Sequence, residues 1–238
     1  MSEIGIAVDP FPALRPQPRV LPGRVVTLRP FDRLAQAQAL YEATHGFDKE
    51  GLWRYMGDGP YASRAAFEAA FEQKQNSVDP LFFAIVDNAS GVPVGQASYL
   101  RIDPANRVIE VGNIIFTAAL QRSSGATEAM YLMARHAFDD LGYRRYEWKC
   151  NALNQPSCRA ALRLGFVFEG VFRQHMIVKG RNRDTAWFSL LDSEWPLRRA
   201  NFEQWLVPSN FDPAGHQVLS LSSLNGSVSP KAPSATFR

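Results

Sequence analysis

Apolar and polar positions along this chain change period several times, and each change marks an element. RVVTLRPF, residues 24–31, alternates with the two-residue period of a half-buried strand. DRLAQAQALYEATHG follows at helical spacing, with Asp32 as N-cap, Leu34, Ala37, Leu40 and Tyr41 as the apolar stripe, and Gly46 as its end. A second helix is predicted at SRAAFEAAFEQKQ, capped by Ser63, with Phe67 and Phe71 four residues apart. LFFAIVDNASGVPVGQASYLRID reads as two strands joined by a turn at Asn88 to Gly91, and the DPAN turn leads to a third, RVIEVGNIIF. Ala126, Met130, Met133, Ala134, Ala137, Phe138 and Leu141 then describe an amphipathic helix that Gly142 ends. YRRYEWKC is a strand. NALNQPSCRAALRLG is a loop and helix, with Asn154 as N-cap, Pro156 in the first turn and Gly165 as the stop. FVFEGVFRQHMIVKGRNRDTAWFSLLD forms a hairpin turning at Lys179 to Asn182. WPLRRANFEQWL is a short helix or loop.

Helices alternate with strands in one part and strands form meanders elsewhere, which predicts one α/β (α+β) domain around a mixed sheet. The expected organisation is an extended N-terminal arm at 1–20, the domain at 21–195, a C-terminal extension at 196–222, and a disordered Ser/Pro/Ala-rich tail at 223–238.

Composition narrows the picture. With 46% hydrophobic and 21% charged residues in 238, the chain is ordinary globular protein. A net charge of +3 without a basic stripe gives no case for nucleic acid. The longest apolar run, LFFAIV, is far short of a membrane span, and the N-terminus lacks a signal pattern. Cys150 and Cys158 suit a reducing compartment as free thiols, so a cytoplasmic location is expected. There is no HExxH and no CxxC, and the four histidines are scattered, so no metal site is expected.

Candidate chemistry gathers at the strand-to-helix junction LQRSSGATEAMY, residues 120–131. Small residues before a helix N-terminus make either a seat for a phosphate or a tight, serine-capped turn. The neighbouring residues bear on that choice. The order of elements, with Ile109-Glu110-Val111-Gly112 before the turn, ATEAM opening the helix, Asn154-Gln155-Pro156-Ser157, and Arg163 to Phe166 followed by Glu169-Gly170, resembles the GNAT superfamily of acyl-CoA-dependent N-acyltransferases. The likeness covers roughly residues 24–192 and is greatest to the RimJ/RimL-type branch.

The resemblance implies a GNAT fold with a mostly antiparallel central sheet, flanking helices and splayed strands at the coenzyme site. It implies an acetyl-CoA-dependent N-acetyltransferase that acts directly on a primary amine of a small molecule or peptide, with no metal; the alternative is a non-catalytic acyl-CoA-binding protein. Implied partners are the amine acceptor and a second copy in a homodimer, with neither nucleic acid nor membrane. The implied pyrophosphate loop is Gln121, Arg122, Ser123, Ser124, Gly125 and Ala126, with Thr127 beside it. Ser124 stands where the family has glycine, a departure that predicts an altered loop, since serine adopts a positive φ only at a cost. Backbone groups of Asn113 to Thr117, best placed at Ile115 and Phe116, would serve the pantetheine arm, with Asn154 nearby. Ser157 matches the serine near the coenzyme sulfur. Glu110, interrupting an apolar strand, is either the base or water-orienter, or the partner of a hairpin arginine. Met176 replaces an acidic residue of the ribosomal-protein-acetylating relatives, and strand alternation puts His175 on the opposite face from it, at the surface. Cys158 reads as a core thiol, Trp148 and Trp187 as core aromatics, and Arg173, Lys179, Arg181 and Arg183 as a charged hairpin edge.

Overall fold

LFFAIV is apolar at every position because the strand it forms is covered on both faces. Leu81, Phe83 and Ile85 enter one core, and Phe82, Ala84 and Val86 enter another. The computed structural model describes residues 4–226. In it, β1 (Leu21–Pro22), β2 (Val26–Pro30), β3 (Leu81–Asp87), β4 (Pro93–Asp103), β5 (Val108–Phe116), β6 (Arg145–Asn151), β7 (Val167–Val178) and β8 (Arg181–Leu191) form one sheet in the order β1-β2-β3-β4-β5-β6-β8-β7. All neighbours are antiparallel except β5 and β6.

The larger core lies between the sheet and α3 (Ser124–Arg135), α4 (Gln155–Arg163), α5 (Trp195–Leu206) and α6 (Leu221–Leu224). The smaller core lies on the other face, under α1 (Arg33–Thr44) and α2 (Arg64–Gln75), where Phe31 stacks on Phe71 at 4.0 Å. Asp32 caps α1 and Ser63 caps α2, as expected. Phe67 and Phe71 are buried.

Three details depart from the sequence reading. Leu34 is 87% exposed, and Gln36 takes the inward place because its Oε1 accepts from Asp32 N–H while its Nε2 donates to Pro30 O. The helix of α3 does not stop cleanly at Gly142 but widens into a π turn over His136–Asp140 first. Residues 223–226 do not join a disordered tail: Asn225 is buried, its carbonyl accepts from Arg198 Nη1, and its Nδ2 donates to Arg163 O. The rest of that expected tail, 227–238, lies outside the described residues. The arm has no regular structure over 4–20, and is tied down where Ala13 N–H donates to Pro104 O and Leu14 N–H to Leu141 O.

Candidate active site

β5 and β6 pair only from Val108 with Arg145 to Val111 with Trp148, and beyond that register they part. The cause is local. Gly112-Asn113 forms a bulge against β4, with Asn113 at φ 52°, which adds one residue to β5 and bends it away. Asn113 is held there by Gln96 Nε2, which donates to its carbonyl, and by its own Nδ2 donating to Ser98 Oγ. The carbonyl of Ile115 lies against Gly95 of β4, and Thr117 N–H donates to Val94 O. Alternation along the strand therefore turns the backbone of Ile114 and Phe116 toward the gap. Ile115, expected there, has its backbone committed to β4 and its side chain in the smaller core.

The turn after β5 is built by its own side chains. Gln121 Nε2 donates to Phe116 O at 2.8 Å. Ser123 is the N-cap of α3: its Oγ accepts from Ala126 N–H and donates to Leu120 O. Among the described residues, the N–H groups of Arg122, Ser124 and Gly125 find no hydrogen-bond partner. They converge at the positive end of the helix.

Two expectations about this turn need correction. The left-handed residue is Arg122, at φ 59°, whereas Ser124 is already helical, so a Cβ at Ser124 carries no backbone strain. The missing side chain of Gly125 does not open room for a ligand either. A Cβ on it would lie 2.8 Å from Val26 Cγ1, so the glycine lets α3 sit down on β2. Thr127 and Ala126 are likewise turned inward. Thr127 is buried and accepts from Arg163 Nη1, and Ala126 packs on the larger core with its N–H taken by Ser123.

On the far side of the gap, Asn154 caps α4 through Oδ1, which accepts from Ser157 N–H at 3.2 Å. Trp148 Nε1 donates to Ser157 Oγ at 3.0 Å. Trp148 is the last β6 residue paired with β5, so this hydroxyl lies beside the point where the strands part, with the Cys150 sulfur also within its reach. Cys150 and Cys158 are buried, with sulfurs 3.5 Å apart. The hydrogen bond with the Cys158 sulfur and then burial push the Cys150 thiol far up. These are core thiols, and a thiol reagent is expected to label neither until the protein unfolds; fast labelling of native protein would contradict that.

The face of the sheet toward α1 and α2 carries a line of alternating charges. Arg101 Nη1 donates to Glu110 Oε2 at 2.6 Å, and Lys149 Nζ reaches the same oxygen at 3.0 Å. Lys149 also pairs with Glu147 at 2.6 Å and sits 3.8 Å over the Trp187 ring. Arg145 links Glu147 to Glu169, and Ser189 Oγ donates to Glu169. The arginine beside Glu169 holds its carboxyl below the usual range. Glu110 is thus ion-paired, but to β4 and β6 rather than to the hairpin. Its Oε1 accepts no hydrogen bond from any described residue. Among the described residues no group of His, Cys, Asp or Glu is arranged to hold a metal ion, and no helix is long and apolar enough to cross a membrane.

The model of the acetyltransferase (GNAT) domain matches residues 26–167. This chain belongs to the GNAT family. Its fold overlays the crystal structure of a GCN5-related N-acetyltransferase from Brucella melitensis at 47% identity and a TM-score of 0.88, covering 90% of this chain and 97% of that one. A GNAT-family structure from Chromobacterium violaceum matches at 34% identity and a TM-score of 0.76, over 82% of this chain and 98% of that one. Ribosomal-protein-serine acetyltransferase of Escherichia coli K12 is 28% identical over 102 residues, which are 42% of this chain and 56% of that protein. The chain thus spans little more than half the length of that relative.

In this GNAT domain the turn with Arg122 and Ser124 follows β5 and the helix start with Asn154 and Ser157 follows β6, so both lie past the same ends of the two parallel strands that part, and Glu110 is on β5. Glu128 was not singled out from the sequence. Its Oε1 accepts from Arg24 N–H at 2.9 Å, and its Oε2 accepts from Val25 N–H at 2.6 Å and Val26 N–H at 2.9 Å. A carboxylate on the apolar stripe of a helix was the available signal. His175 is exposed, as expected, but it does not turn to the face opposite Met176. Gln174 bulges at φ 50°, which brings His175 Nδ1 within 3.0 Å of Thr185 Oγ1 and its ring to 5.8 Å from Trp187.

Proposed function

We propose that this chain transfers an acetyl group from acetyl-CoA directly to a primary amine, on a small molecule or a peptide amino terminus. The observation that carries the reading is that the unpaired N–H groups at the start of α3 and the hydroxyl of Ser157 both follow the ends of β5 and β6 where these parallel strands part. The fit to the coenzyme rests on those orphaned donors. The N–H groups of Arg122, Ser124 and Gly125 would hold the pyrophosphate, and the backbone of Ile114 and Phe116 would line the pantetheine arm. Bound there, acetyl-CoA supplies an activated thioester. Free cysteines accord with a cytoplasmic setting.

The protein's own groups then do three things. The free Oε1 of Glu110 orients a water that accepts the amine proton. The gap-facing backbone N–H groups of β5 stabilise negative charge on the acyl oxygen. Ser157, its oxygen held by Trp148, turns its proton from the neighbouring Cys150 thiol to the departing sulfur. A thiolate with a pKa near 8.5 leaves well, so one hydrogen bond suffices. Ser157→Ala is therefore expected to lower turnover about tenfold without changing the shape of the pH profile. An unchanged rate would remove Ser157 from the mechanism.

Thiol release measured against a panel of amines, beside calorimetric binding of CoA, tests the reading. Amine-dependent release is expected. Tight CoA binding with no release for any amine would mark a binding protein instead.

A further inference from the structure

The line of paired charges beside Glu110 stops short of one half-buried cation on the same face. Arg101, Lys149 and Arg145 are each paired with Glu110, Glu147 or Glu169. Arg183, on β8 beyond Trp187 and Thr185, has no carboxylate within ion-pairing distance among the described residues. Its side chain leans back along the strand, with Nε donating to Thr185 Oγ1 at 3.1 Å, and its other N–H donors find no described acceptor. It is half-buried. Burial pushes its proton affinity down, and Glu110 is among the groups that pull it back up, so the guanidinium lies within electrostatic reach of the proposed water-orienter. The indole N–H of Trp187, on the same strand face, is also buried without a partner.

A guanidinium taken partly out of water without a counter-ion is costly, and a ligand anion removes the cost. Its planar fork matches a carboxylate through two parallel hydrogen bonds. Apolar side chains stand beside it. Phe172 lies 4.5 Å from Trp187, and Met176 is paired in register with Arg183. Two long-range hydrogen bonds tie neighbouring segments together: Lys179 Nζ donates to Trp53 O at 2.8 Å, and Tyr55 OH to Leu153 O at 3.2 Å. They carry the segment after α1 across to the hairpin tip and to the loop before α4.

We propose that the acceptor is a free amino acid, carrying amine and carboxylate in one small molecule, and that Arg183 anchors the carboxylate. The inference rests on the acetyltransferase reading and names the substrate class of that site.

The test compares amino acids with their carboxamides and their decarboxylated amines in the thiol-release assay, using the full chain. The acid of each set is expected to exceed its amide about tenfold in kcat/KM, the worth of one charge-assisted pair. Arg183→Gln should erase that preference by raising KM for the acid while leaving the amide unchanged, and Arg183→Lys should retain part of it. Equal use of acid and amide by the native protein would overturn the inference while leaving acetyl transfer intact, as would preference for peptide amino termini. An equal loss on both members in Arg183→Gln would assign the guanidinium to the acyl oxygen and overturn it also. No transfer to any amine would overturn both this inference and the reading beneath it. Should Arg183→Gln fail to fold, the native comparison and Arg183→Lys still decide.

Discussion

Glu128→Ala is expected to destabilise the protein by about 4 kcal/mol, a large part of the 5–15 kcal/mol that holds a typical domain together. Three backbone N–H groups at the start of β2 donate to this one carboxylate. Alanine leaves all three without a partner, at roughly 1–3 kcal/mol each, and the strand start is only partly open to water. Glu128→Gln keeps an acceptor oxygen and should cost about half as much. Urea denaturation checks the claim: the midpoint should fall with the slope unchanged. The loss should also reach the site. Glu128 and the close seat of Gly125 on Val26 together fix the first turn of α3 against β2, so coenzyme binding should weaken in whatever fraction folds. A change below about 1 kcal/mol would show that water replaces the carboxylate and that the clamp is incidental.

Glu110→Gln should act on both stability and turnover. Stability falls by about 2 kcal/mol, less than the usual cost of breaking a buried pair, because Arg101 is half in water and Lys149 keeps Glu147. Adding Glu147→Gln strands Lys149, whose side chain is 4% exposed, and should raise the loss to about 5 kcal/mol, beyond the sum of the two single changes. Turnover of folded Glu110→Gln should drop about a hundredfold and its pH profile should change, since Oε1 would no longer orient the water that takes the amine proton. If the folded fraction keeps full turnover, Glu110 serves only as an ion-pair partner, and bulk water takes the proton.

Much of this fold was legible because period reports burial. The Phe67 and Phe71 pair, the two-sided LFFAIV strand, the capping residues Asp32, Ser63 and Asn154, and the amphipathic run after Gly125 each carry their own evidence in a few neighbouring residues. What was not legible depends on contacts between distant segments. Glu128 meets β2 about a hundred residues away, and nothing near it in sequence identifies those partners. The charge line from Arg101 to Glu169 draws one to three residues from each of four strands, so no local window shows that Glu110 pairs with Arg101 and Lys149. The bulge at Gln174 breaks the alternation that places His175, although no glycine or proline marks that position. Ser124 was misjudged for a related reason. Where a turn ends and a helix begins decides whether a Cβ is strained there, and Arg122 rather than Ser124 takes the left-handed place.

In the proposed mode of binding, the start of α3 and the parted strands β5 and β6 together receive an acyl-CoA. A crystal structure with CoA bound decides it. Pyrophosphate oxygens are expected within hydrogen-bonding distance of the N–H groups of Ser124 and Gly125, the pantetheine arm along Ile114 and Phe116, and the sulfur near Ser157 Oγ. Coenzyme bound elsewhere, with those N–H groups still facing solvent and the gap between β5 and β6 empty, would contradict it.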